Sequence, residues 1–119
     1  MSRRGRALRQ RYGSPRAHPY KVLASKLSTA ITKEMNKGNP DFGTREAPLP
    51  VINKFEDKVI ALADTVRALN PTDMAWRFYD KDIIEFARYK HHSYERKYAL
   101  GKLRQLVQMV EGAASRMKT

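Results

Sequence analysis

One segment constrains the fold more than any other. Between Val51 and Leu69 the residues Ile52, Phe55, Val59, Leu62, Val66 and Leu69 recur at spacings of three and four without a miss. Such spacing places them all on one face of an α-helix, a stripe that must be buried against another element. No segment alternates apolar and polar residues with the period of a strand, so the other elements are expected to be helices as well.

Three further helices are expected around this one. Pro19 suits a first helical position, and a pattern with Leu23, Leu27, Ile31 and Met35 runs from there to Lys37, stopped by Gly38. Ala24 and Ala30 fill its flank, and Lys26 and Lys33 fall away from the stripe. Asn39 to Pro50 carries Pro40, Gly43, Pro48 and Pro50 without periodicity and reads as a long loop. After the central helix, Asn70-Pro71 forms a break, and Asn70 or Thr72 can cap a third helix with Asp73 in its first turn. That helix offers Met74, Ala75, Phe78, Ile83 and Ala87, with Trp76, Tyr79 and Phe86 near the same face, and core packing is the default reading of such residues. Ser93 can cap a fourth helix from Tyr94 to about Met117, whose seam is Tyr94, Tyr98, Leu103, Leu106, Val107, Val110, Ala114 and Met117. Gly101 lies inside it and suggests a close helix crossing. The expected fold is all-α: a four-helix bundle over 19–119 with an extended basic N-terminal arm over 1–18.

The charge follows the same division. The 119 residues hold 24 Lys and Arg against 12 Asp and Glu, a formal charge of +12. Yet no acidic residue precedes Glu34, and the nine basic residues before it supply three quarters of the net charge. A charge so large and one-sided opposes compaction and answers a polyanionic partner. Through His18 the basic residues are all arginine: Arg3, Arg4, Arg6, Arg9, Arg11 and Arg16. Guanidinium presents a planar fork of donors that matches phosphate oxygens, where ammonium is a hydrated point charge. Tyr12 adds a flat ring beside them. Lys21, Lys26 and Lys33 can carry the positive surface onto the first helix, completing the set of candidate nucleic-acid-binding residues. A mitochondrial presequence is also arginine-rich and acid-poor, but Gly5, Gly13, Pro15 and Pro19 spoil the amphipathic helix it needs. A second basic cluster, Arg88, Lys90, Arg96, Lys97, Lys102 and Arg104 with Tyr89, Tyr94 and Tyr98, suits sugar–phosphate contact and an ordinary amphipathic surface equally well.

Other chemistry has little support. The chain has no cysteine, so disulfides, thiol catalysis and thiolate metal sites are excluded together. No run of eighteen apolar residues could span a bilayer. His91 and His92 are adjacent, which on a helix points them about 100° apart and prevents easy chelation of one ion. Asp80, Asp82 and Glu85 are interleaved with Arg77, Lys81 and Arg88 and read as ion pairs on a solvated face rather than as a metal or general-base site. Phosphate-loop, dinucleotide, nucleophile-elbow and zinc-protease motifs are all missing. The expectation is a binding protein, not an enzyme, with no cofactor and no metal.

The opening stretch Ser2-Arg3-Arg4-Gly5-Arg6, leading to Gln10-Arg11-Tyr12-Gly13, resembles the start of the major capsid proteins of rod-shaped and filamentous archaeal viruses. Those proteins are similarly short, with a basic arm followed by a helical bundle. The resemblance implies dimers, of one chain or of two paralogous chains, that wrap double-stranded DNA in A form inside a helical virion assembled in the host cytoplasm. It also implies that Arg3, Arg4, Arg6, Arg9, Arg11, Arg16 and Lys21 clamp phosphates, with Tyr12 beside them. The leading expectation is therefore a DNA-packaging coat protein without sequence preference. The alternative is a ribosomal or mitoribosomal protein whose basic extension threads into folded RNA. A third reading, a helical adaptor with a membrane-surface arm, is disfavoured because the arm has few bulky apolar residues beyond Leu8 and Tyr12.

Overall fold

The computed structural model describes residues 18–37 and 47–117, which are all-helical, with no strand among them. Four α-helices follow in order: α1 Pro19–Asn36, α2 Leu49–Leu69, α3 Ala75–His91 and α4 Ala99–Ser115. The arm over 1–17 and most of the expected loop, 38–46, lie outside the described residues.

The helices organise around α4. It packs against α1, α2 and α3, whereas α2 and α3 touch little and α1 and α3 do not pack on one another. Leu100, Leu103, Leu106, Val107, Val110, Ala113 and Ala114 are all buried on α4, on more than one face of the helix. A helix apolar over so wide an arc can be stable only when neighbours surround it. Each fully buried leucine, valine or phenylalanine side chain here contributes about 1.5–3 kcal/mol of transfer free energy.

Cross-helix contacts fix the directions. The Arg104 guanidinium donates to Thr32 Oγ1 at 3.2 Å, and the side chains of Lys21 and Val22 share a surface depression with Glu111, so α1 runs antiparallel to α4. Asn70 Nδ2 donates to the Ala113 carbonyl at 3.2 Å, bringing the end of α2 to the end of α4. Lys90 reaches Glu56 at 2.6 Å, so α3 returns antiparallel to α2. The result is an up–down–up–down course.

The structure corrects several sequence expectations. On α1 the buried line is Ala24, Ile31 and Met35, while Leu23 is 50% exposed. The helix is rotated to serve α4, which turns Leu23 toward α2. On α2, Ile52, Phe55, Val59 and Val66 are buried as expected and Ala63 joins them, but Leu69, its last residue, is exposed. Pro50 belongs to the first turn of α2 rather than to the loop, a place where a missing N–H costs nothing. On α3, Trp76, Tyr79 and Phe86 enter the core, but Met74 and Phe78 do not. Its start is capped by neither Asn70 nor Thr72: Asp73 Oδ1 accepts from the Ala75 N–H at 2.9 Å.

The fourth helix begins at Ala99 rather than Tyr94. His92 closes α3, and the chain then reverses through i→i+3 bonds, Glu95 N–H to the His92 carbonyl and Tyr98 N–H to the Glu95 carbonyl, both 2.9 Å. A short 3₁₀ turn over Arg96–Tyr98 delivers it into α4. Tyr94 and Tyr98 consequently stand on the surface instead of extending the α4 seam.

Candidate nucleic-acid interface

Arg3, Arg4, Arg6, Arg9, Arg11, Tyr12 and Arg16 lie outside the described residues. Where the described chain begins, His18 caps α1: its Nδ1 accepts from the Tyr20 N–H at 3.2 Å and its ring stacks on Tyr20 at 5.3 Å between centroids. No acidic side chain stands in the first turn of α1. The positive end of the helix dipole is therefore uncompensated where the basic arm joins it.

Lys21, Lys26 and Lys33 all lie on α1, Lys26 and Lys33 exposed and Lys21 half-buried. Lys26 and Lys33 are seven residues apart and share one strip of the helix, while Lys21 sits about 140° from Lys26. Lys21 and Lys26 nonetheless line a single depression of about 500 Å³ with Ser25, Thr29 and Glu111. None of the three lysines forms an ion pair among the described residues.

The second basic cluster is different. Lys90 is held by Glu56 at 2.6 Å and by Asn53 at 3.0 Å. Lys102 is held by Glu85 at 2.6 Å and approaches Asp82 at 3.9 Å. Arg88 lies 3.6 Å from Glu95 and 3.9 Å from Glu85, and Arg96 Nε donates to the Lys90 carbonyl at 3.0 Å. The Lys102 ammonium holds the Glu85 carboxyl below its ordinary pKa. Lys90 and Lys102 spend their charge joining α2, α3 and α4, while Arg88 and Arg96 fasten the turn that follows α3. Arg96, Lys97 and Arg104 of this cluster have no carboxylate partner among the described residues; Lys97 and Arg104 line a depression of about 370 Å³ with Tyr98, Gln105 and Gln108.

The acidic run on α3 is engaged in ion pairs, though mostly with partners other than its sequence neighbours. Arg67 grips Asp80 with two bonds of 2.7 and 2.8 Å and lies 5.4 Å from the centre of the Trp76 ring. That pairing raises the Arg67 pKa and lowers the Asp80 pKa. Glu85 and Asp82 turn to Lys102 on α4. No group of three His, Asp or Glu side chains able to hold a metal occurs among the described residues.

Two residues escaped the sequence reading. Lys54 and Lys58 on α2 are exposed, form no ion pair among the described residues, and Lys58 shares a groove with Lys26. The signal was present in their spacing, because like charges four residues apart on a helix repel by a few tenths of a kcal/mol. Cations without carboxylate partners among the described residues thus gather on α1 and α2 more than at the α3–α4 junction.

Comparison of the chain with protein-family models, with curated proteins and with solved structures finds no match.

Proposed function

We propose that this chain is a structural DNA-packaging coat protein, a four-helix bundle whose basic arm neutralises the phosphate backbone of a duplex without reading its sequence. One observation carries the reading. The first 33 residues contain no carboxylate, and the basic series continues from the arm onto α1, where Lys21, Lys26 and Lys33 have no ion-pair partner among the described residues. Charge left unpaired in this way is available for phosphate, and phosphate contacts position a protein on nucleic acid without specifying bases. The resemblance of the opening residues to capsid proteins of filamentous archaeal viruses supplies the context: copies of this chain, or this chain with a paralogue, assembled along A-form DNA in a virion.

Electron microscopy of the purified protein with long random-sequence duplex DNA at low salt tests the assembly. Regular filaments of constant diameter are the expected result. Binding to structured RNA alone would move the protein to the ribosomal alternative. The electrostatics give a second check. Six arm arginines, each displacing counterions from duplex DNA, correspond to a log–log salt slope of about −5. Deleting residues 1–18 should remove most of that slope while leaving helical content in place. An unchanged slope would relocate the binding to the helices.

A further inference from the structure

The face between α1 and α2 holds an apolar floor that phosphate binding does not use, although Lys26 on its rim belongs to both surfaces. The two helices flank an open groove of about 530 Å³, lined by Leu23, Leu27 and Ala30 of α1 and Phe55, Ala61 and Leu62 of α2. Leu23 is half exposed, and the apolar line along α1 from Tyr20 to Ala30 is about 15 Å long, three turns of helix. Two parallel walls of that length and an open top have the shape that receives an amphipathic helix.

The rim identifies the occupant. Lys26 stands on the α1 wall and Lys58 on the α2 wall, neither in an ion pair among the described residues. Lys54, 5.6 Å from the centre of the Phe55 ring, adds a third positive charge on the α2 side. A guest must therefore bring apolar residues for the floor and carboxylates for both edges. The arm and α3 of this chain carry the wrong sign. Its arm is wholly basic. The exposed apolar residues of α3, Met74 at 68%, Phe78 at 52% and Ile84 at 71%, are interspersed with Arg77 and Lys81, which have no carboxylate partner among the described residues. Like charges across an interface are strongly disfavoured. We propose that the α1–α2 groove is a docking site for an amphipathic helix of a partner protein, with acidic residues on both sides of its apolar stripe.

Fluorescence anisotropy on the full chain, with no nucleic acid present, tests this. The probe is a labelled helical peptide of about 15 residues with leucines at spacings of three and four, flanked by glutamates; its controls are a lysine-flanked version and a scramble. The glutamate-flanked peptide should bind and both controls should not. The double substitution Lys26→Glu with Lys58→Glu should weaken binding at least tenfold and should switch preference to the lysine-flanked peptide. Leu23→Asn, at an exposed position, should weaken it similarly without lowering the thermal midpoint. Equal binding of the scramble, or glutamate-peptide binding indifferent to all three substitutions, overturns the proposal. So does self-association in sedimentation that Leu23→Asn abolishes, which would give the groove to a second copy. Binding of anionic vesicles in place of the peptide would give it to a lipid surface.

Discussion

Arg116 holds Asp73 with two hydrogen bonds of 2.8 Å, fastening the end of α4 to the turn that opens α3. The carboxylate is only 6% exposed and also accepts from the Ala75 N–H and from Asn70. Asn70 in turn donates to the Ala113 carbonyl, and its own carbonyl accepts from the Trp76 indole at 2.7 Å. One acidic residue therefore links the α2–α3 turn, the start of α3 and the end of α4. The Arg116 guanidinium, chiefly, holds the Asp73 pKa down to about 2.

A pH dependence follows. The folded-state pKa lies below the unfolded value, so the stabilisation is fully present above about pH 5 and is lost as pH falls toward 2. Its size is about 1–2 kcal/mol after allowance for solvent around Arg116. Urea unfolding of the wild type and of Asp73→Asn should show that difference at pH 7 and a converging pair of curves near pH 2. Trp76, the single tryptophan and itself buried, reports the transition. A gap that stayed constant across the range would show that the Asp73 charge has no part in it.

The corrected α1 face predicts an asymmetry between two leucines that the sequence pattern treats alike. Leu106→Ala opens a cavity at a fully buried position on the central helix and should cost about 3 kcal/mol. Leu23→Ala removes a half-exposed side chain and should stay within about 0.5 kcal/mol. Thermal denaturation of the two variants separates these outcomes.

The basic residues divide in the same testable way. Replacing Lys21, Lys26 and Lys33 by glutamine should lower the salt slope of duplex binding by about 2–3, since each engaged phosphate contributes about 0.9. Stability should change little, because none of the three is in an ion pair among the described residues. Lys90→Gln should behave in the opposite manner. It removes a 2.6 Å bond to Glu56 from a mostly buried site, loosening α3 from α2, and leaves the slope unchanged. Filter binding across a salt series, paired with thermal midpoints, distinguishes the two classes.

These contrasts mark what could be read from sequence. The helical class, α2 with its buried Ile52, Phe55, Val59 and Val66, and the start of α1 at Pro19 all follow from local periodicity and proline placement, which need no neighbour. The exposure of Leu23, Met74 and Phe78 does not, because the face a helix buries depends on where α4 lies, a matter of tertiary packing. Ion pairing was legible only as a tendency. The sequence places Arg77, Lys81 and Arg88 beside Asp80, Asp82 and Glu85, but Arg67 and Lys102 come from other helices to claim most of them. The same long-range pairing removed Lys90 and Lys102 from the candidate interface, local pairing with Glu85 and Glu95 engaged Arg88, and Lys21, Lys26 and Lys33 were left available.

Gly101 offers a test of how tightly α1 and α4 cross. It lies in the first turn of α4, near the site where Arg104 meets Thr32 of α1. A close crossing would require glycine there, since a methyl group would strike the opposite helix. Among the described residues, a Cβ at Gly101 would instead meet only Met35 Cε, at 3.7 Å, an ordinary van der Waals separation against the end of a flexible side chain. Steric cost is thus absent, and what remains is the backbone entropy that glycine loses in a helix, about 0.5–1 kcal/mol relative to alanine. Gly101→Ala should therefore raise the thermal midpoint by about 2–6 °C for a domain of this size. A midpoint lowered by the substitution would mean that the two helices approach more closely than this geometry gives, and overpacking, at about 1–3 kcal/mol, would be the cause.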